Sequence, residues 1–148
     1  MSTAELLAQD EQVVAFHLGN ERYGVEITAI QEIIQVGTVT PIPNAPAYLE
    51  GVTNLRGRII PVVNLRHRLG MPPAEHTERT RIIVVTVDGT PVGLVVDAVS
   101  EVMRIPQADI EPPSVLVTLP DDDLVRGIGK TPEGLISLVN LRSLVGGL

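Results

Sequence analysis

Hydrophobic and polar positions along the chain fall into short runs that read as strands. Val13-Val14-Ala15-Phe16-His17-Leu18 meets the turn pair Gly19-Asn20 and then Arg22-Tyr23-Gly24-Val25-Glu26, which predicts a hairpin. Arg81–Val87 leads through Asp88-Gly89-Thr90-Pro91 into Val92-Gly93-Leu94-Val95-Val96, a second hairpin. Residues 51–65 read as strand interrupted by Gly57 and Pro61, and Pro61, which lacks a ladder donor, is expected at an edge or a bulge. Two further strands are expected around Val125–Gly129 and Leu135–Val139. Ile27, Ile30, Ile33 and Ile34 recur at helical spacing behind Thr28 as a cap, which predicts a short helix of about two turns. The proline-rich stretch 41–46 and the segment 112–123 read as connectors. Asp97–Met103 fits neither a helical nor a strand period and stays undecided between the two.

Sliding the chain against itself exposes a repeat. An offset of 69 places Gly24 on Gly93, Ala29 on Ala98 and Glu32 on Glu101, with Ile27, Ile30, Ile33 and Val36 on Val96, Val99, Val102 and Ile105. An offset of 70 places Arg56-Gly57 on Arg126-Gly127, and one of 76 places Val63-Asn64-Leu65-Arg66 on Val139-Asn140-Leu141-Arg142. Matches in the same order point to two related β units of about 70 residues. Units that small are expected to close into small barrels, which removes exposed strand edges, and two packed barrels would leave a groove between them. The expected organisation is a loose leader over 1–12, a first subdomain over 13–70, a linker over 71–80 and a second subdomain over 81–146 within one domain spanning 13–148. Exchange of strands between the barrels is left open.

Composition narrows the function classes. The chain has 148 residues, a formal net charge of −7, 21 Val and 13 Ile but only three aromatic residues, so its core is aliphatic and rich in strand formers. Zero Cys removes disulfides, thiolate metal sites and a cysteine nucleophile. The acidic balance with so few aromatics argues against a nucleic-acid surface. No apolar run reaches the roughly 20 residues of a membrane span, and a cytoplasmic, complete short protein is expected.

Catalytic signatures are missing. Gly127-Ile128-Gly129-Lys130-Thr131 imitates the end of a phosphate-binding loop, but Leu124 stands where its first glycine belongs and Pro132-Glu133-Gly134 forces a hairpin turn instead. His17, His67 and His76 lack zinc-ligand spacing, Asp121-Asp122-Asp123 lacks a calcium-loop pattern, and no serine sits in a nucleophile elbow. No enzyme, metal or cofactor is expected.

Basic residues cluster instead. Arg56, Arg58, Arg66, His67 and Arg68 fall within thirteen positions, and ten of the eleven cations are arginine, whose fork suits carboxylates. The glycine after Arg56 marks a special backbone position such as a bulge, and Glu32, on the exposed side of the expected helix, is the carboxylate expected to pair with Arg56. A small barrel binding a ligand or anion through this cluster is the alternative that these residues keep open.

Tyr23-Gly24-Val25-Glu26-Ile27, Ile30-Gln31-Glu32-Ile33, Gly51-Val52-Thr53-Asn54-Leu55-Arg56-Gly57 and Ile60-Pro61-Val62-Val63-Asn64-Leu65-Arg66, in that order, closely resemble the CheW-like domain family of bacterial chemotaxis coupling proteins. Val92–Asp97 and Leu138–Leu141 resemble the matching segments of its second half, so the likeness spans roughly residues 13 to 146. The resemblance implies a mainly β fold of two SH3-like five-stranded barrels packed together with short helices. It implies a non-catalytic adaptor between the cytoplasmic hairpin tips of chemoreceptors and the CheW-like regulatory domain of the histidine kinase CheA, recruited to membrane-associated receptor arrays without inserting into the membrane. Barrel-to-barrel contacts with the kinase domain would build rings in the array. Carried onto this chain, Ile30, Glu32, Ile33, Asn54, Arg56 and Gly57 lie in the receptor-facing region, and Val99 and Val102 help line the inter-barrel groove. A CheW-like regulatory module of another two-component pathway is the nearest alternative.

Overall fold

The computed structural model of the chain describes residues 10–113 and 123–146. Eleven strands are laid out among these residues as β1 (Asp10–Leu18), β2 (Glu21–Glu26), β3 (Ile30–Gln35), β4 (Leu49–Leu55), β5 (Arg58–Asn64), β6 (Arg81–Val87), β7 (Thr90–Val96), β8 (Ala98–Pro106), β9 (Ile110–Glu111), β10 (Val125–Thr131) and β11 (Gly134–Val139). Two four-residue helices, α1 (Leu65–Arg68) and α2 (Leu141–Leu144), follow β5 and β11, each capped by the asparagine before it. The strands form two curled sheets, a six-stranded one in the order β8-β1-β2-β11-β10-β9 and a five-stranded one in the order β3-β6-β7-β5-β4.

Sequence halves and sheets do not coincide. The hairpin β1–β2 of the first half joins β8–β11 of the second, while β6–β7 joins β3–β5. Each hairpin accepts a parallel neighbour, β11 beside β2 and β5 beside β7, with Leu138 opposite Gly24 and Val62 opposite Gly93. Both offsets, 69 and 76, are therefore realised as one pseudo-twofold relation between the sheets. The match at offset 70 is an accident. In the fold Gly51 corresponds to Gly127, each following a register slip, and Arg56-Gly57 corresponds to the turn residues Pro132-Glu133.

Burial explains the unbroken apolar runs. Along β1, Val13 and Ala15 face the interior of the six-stranded barrel, where Ile105, Ile136 and Leu138 meet them, while Val14, Phe16 and Leu18 face the other sheet. Along β6, Ile82 and Val84 fill the five-stranded barrel, and Ile83 and Val85 face the other sheet. Strands covered on both faces read as continuous hydrophobic segments rather than alternating ones. The shared central cluster, which includes Phe16, Tyr23, Val63, Leu94, Leu141 and Leu144, packs between the two sheets, and beside it a cavity of about 670 Å³ is lined by His17, Gly19, Arg66, Asp97 and Ala98.

Three local expectations need correction. Residues 27–34 are not a two-turn helix, since only Ile27–Ala29 form a 3-10 turn and Ile30 already begins β3 against β6. Thr28 caps nothing, because four β-branched isoleucines favour a strand once β6 offers a ladder. Pro61 lies in β5, interior to its sheet, where the ladder to β7 begins only at Val62. Residues 10–12 of the expected leader are strand, since β1 starts at Asp10 and pairs with Pro106. Of Asp97–Met103, Ala98–Met103 is strand, in β8, and Asp97 is the bend that precedes it. The acidic run at Asp121 and Asp122, and residues 114–122 of the connector generally, lie outside the described residues.

A Cβ at Gly51 would stand 2.1 Å from the Thr40 carbonyl oxygen, whereas one at Gly57 would meet nothing within 4 Å and suffers only its φ of +83°. Gly51→Ala is therefore expected to cost about 3 kcal/mol or more and Gly57→Ala about 1 kcal/mol, read from urea unfolding midpoints. Equal losses would show that the Thr40 contact is not what fixes Gly51.

Candidate functional site

The hairpin between β4 and β5 ends in a two-residue turn whose central residues, Arg56 and Gly57, both have positive φ (+53° and +83°). That is a type I′ turn, not the bulge expected from the glycine, and its hand matches the twist of the strands it joins. Arginine is a poor choice at its first central position, because a side chain in the left-handed region costs about 1–2 kcal/mol. Asn54 supports the turn, accepting the Gly57 N–H on Oδ1 at 2.8 Å. Arg56 then reaches across the sheet's open side to β3, where Nη1 donates to Glu32 Oε2 at 2.7 Å. The pair links the two edge strands of the five-stranded sheet, and Thr40 pairs with Val52 to help close the same side.

Glu32, Asn54, Arg56 and Gly57 are thus gathered at one place. Ile33 follows Glu32 on β3, points to the opposite face of the strand and is 40% exposed, while Ile30 turns inward against the central cluster. Val99 and Val102 are elsewhere, on β8 of the other sheet. The pseudo-twofold repeats the division: Val99, like Ile30, packs on the central cluster, and Val102, like Ile33, faces solvent at 57% exposure.

The arginine cluster does not converge on an anion. Arg66 donates Nε to Asp97 Oδ1 at 2.9 Å and Nη1 to the Pro72 carbonyl. Arg68 donates to the Ser143 and Leu144 carbonyls at the end of α2 and lies 4.8 Å over the Tyr48 ring. Tyr48 completes that anchor by donating to the Gly146 carbonyl at 2.7 Å. Arg66 lines a cavity of about 670 Å³ with His17, Asp97 and Ala98, but its fork there is already taken by Asp97, and beside Arg56 the cavity against Glu32 and Arg58 holds only about 160 Å³. The imitation phosphate loop is strand, with Lys130 on β10 bonded to Glu111 at 2.7 Å, which raises the ammonium's pKa.

Sequence reasoning missed Asp97 and a pair of exposed apolar residues. Ile59 and Leu135 are 63% and 62% exposed on β5 and β11. Extending the offset of 76 backward from Val63 and Val139 pairs them, so the repeat carried that signal. Asp97 carried none, because its partners Arg66 and Gly19 are distant in sequence.

Outward strand edges and turns on a double barrel define a protein module built to present surface. A family model described as a CheW-like domain matches residues 12–147. The chain is 40% identical over 133 residues to the chemotaxis protein CheW of Rhizobium meliloti (strain 1021), covering 90% of this chain and 86% of the relative. It is 38% identical over 136 residues to the chemotaxis protein CheW of Klebsiella aerogenes, covering 91% and 81%. The crystal structure of the scaffolding protein TtCheW from Thermoanaerobacter tengcongensis matches with a TM-score of 0.85 at 40% identity, over 93% of this chain and 95% of that one. The chain belongs to the CheW-like domain family.

Hydrogen bonds from Arg66 and from the Gly19 N–H hold the Asp97 carboxyl below the usual carboxylate range, against the opposing effect of burial. A carboxyl depressed in the folded state stabilises fully above its unfolded value of about 3.9 and loses that contribution as pH falls through the folded value. Asp97→Asn is expected to cost about 1–2 kcal/mol at pH 7 and to flatten the fall in stability below about pH 4, measured by chemical unfolding against pH. An unchanged acid limb would remove Asp97 as its source.

Proposed function

We propose that this chain is a bacterial chemotaxis adaptor that couples chemoreceptors to the histidine kinase CheA and performs no chemistry of its own. The observation that carries the reading is the CheW-like match over nearly the whole chain, with relatives that are chemotaxis proteins and a scaffolding protein. The geometry around Arg56 supports it. A strained turn residue, 77% exposed at its side chain and aimed by Glu32, suits contact with a partner better than it suits stability. Exposed Ile33, one residue along β3 on its opposite face, offers a helical receptor tip an aliphatic contact on the same edge strand. In this reading Glu32, Ile33, Asn54, Arg56 and Gly57 form the receptor-facing region, Ile30 supports it from the central cluster, and Val102 is the exposed member of the Val99–Val102 pair. The protein works in the cytoplasm at receptor arrays; among the described residues no helix is long and apolar enough to cross a membrane.

Separate titrations with a receptor hairpin fragment and with the CheA regulatory domain test this. Saturable binding to both is expected, with Arg56→Ala weakening the receptor contact about three- to tenfold and leaving the kinase contact largely intact. Binding to neither partner would end the adaptor reading. A double-mutant cycle on Arg56 and Glu32 should give a coupling of about 0.2–1 kcal/mol in receptor affinity. Zero coupling would mean that Glu32 does not position the arginine for the partner.

A further inference from the structure

The chain passes between the two sheets twice. It leaves the six-stranded sheet at Glu26 and enters the other at Ile30, through the 3-10 turn Ile27–Ala29. It returns through a single residue, Asp97, between Val96 and Ala98. The pseudo-twofold places Thr28 on Asp97, Gly19 on Asp88 and Arg66 on Arg142. These matched positions are furnished differently.

At the return crossover the carboxylate belongs to the crossing residue. Asp97 accepts from Arg66 and from the Gly19 N–H at 2.7 Å, its own N–H donates to the His17 carbonyl at 3.0 Å, and Ala98 beside it is buried. Arg66 comes from α1 behind the five-stranded sheet and Gly19 from the β1–β2 turn of the other, so Asp97 ties both sheets at the point of crossing. At the outward crossover the crossing residue is Thr28, and the acid has moved to the turn position, Asp88. Arg142 follows it there, donating at 2.9 Å with both side chains mostly in solvent. The turn Ile27–Ala29 buries none of its residues, and Glu26 before it makes no side-chain cap.

We propose that the two crossovers are mechanically unequal: Asp97 is a latch that fixes the sheets to each other, and Ile27–Ala29 is a hinge on which β3 shifts against β1 and β2. Local opening costs the contacts that it breaks. Charge-assisted bonds to a part-buried carboxylate put the Asp97 crossover at the expensive end. A turn with no buried residue and, among the described residues, no side-chain bond belongs at the cheap end. Ile27 and Ala29 are partly buried where they pack against the central cluster and neither is one of its buried members, so the hinge can move without opening a fully buried position. Glu32 and Ile33 lie on β3 directly beyond the hinge, which makes their placement adjustable, whereas Val99 and Val102 lie directly beyond the latch and are fixed.

Hydrogen exchange resolved by residue, on the full chain without partners, decides the matter. The Thr28 and Ala29 amides are expected to exchange at least about tenfold faster than those of Gly19 and Asp97. In Asp97→Asn the Gly19 and Asp97 positions should accelerate about tenfold while Ile82–Val85 in β6 stay unchanged. Arg66→Lys, which keeps the charge and loses the fork, should show the same local effect to a smaller degree. Equal protection of the two crossovers in the unaltered chain overturns the proposal without any variant. Acceleration that reaches β6 equally overturns it too, since the ion pair would then be a general stabiliser and no latch.

Discussion

Neither barrel can be completed from one half of the sequence, and the rest of the architecture follows from that constraint. Each hairpin, β1–β2 and β6–β7, borrows an antiparallel neighbour and a parallel neighbour from the opposite half. A strand placed this way has one face toward its barrel interior and the other toward the second sheet. Burying a valine, leucine or isoleucine contributes about 1.5–3 kcal/mol, and these strands bury them on both sides. The central cluster is therefore the joint between the units and the largest part of the core at once. Phe16 and Tyr23, stacked at 5.8 Å between centroids, are two of the chain's three rings and both lie in it.

With the interior committed to holding the sheets together, contacts with other proteins fall to strand edges and turns. The β4–β5 turn shows how such a place differs from the core. A type I′ turn with asparagine or aspartate at its first position would be more relaxed, and the related turn between β6 and β7 has Asp88-Gly89 there. Arg56 accepts left-handed strain, and an exposed ion pair returns only about 0.2–1 kcal/mol of it. An arrangement that costs more than it returns within the chain makes sense where the side chain has a use outside it. In the proposed reading, the receptor contact of a chemotaxis adaptor is that use.

Much of this was legible beforehand because it was local. Gly19-Asn20 and Asp88-Gly89 announce hairpins by turn chemistry alone, and the pairing of Arg56 with Glu32 follows from their chemistry even though the element carrying Glu32 was misjudged. The misjudgement has a physical source. β3 carries an extra residue, Gln31, where its register to β6 slips, and β8 carries one at Ser100 where its register to β1 slips. An inserted residue breaks the alternation that identifies a strand, which made residues 27–34 look helical and 97–103 look like nothing. The exchange of strands was not legible, because which hairpin captures which neighbour is decided by packing between residues distant in sequence, from 31 positions apart (Val62 and Gly93) to 114 (Gly24 and Leu138). Asp97 was invisible for the same reason.

The exchange also imposes an order of birth on a ribosome. The five-stranded sheet is complete once Val96 has been made, but the six-stranded one begins with β1 and β2 and needs β11, which ends at Val139. At about 5–20 residues per second, the first hairpin waits several seconds for its partners. An isolated two-stranded hairpin is at best marginally stable in water. The strands synthesised first are thus among the last to be secured, and until then Val13, Val14 and Phe16 are open to whatever the nascent chain meets. Vectorial synthesis and reciprocal topology pull in opposite directions here, and a chaperone acting on this chain would find its clearest handle at the amino-terminal hairpin.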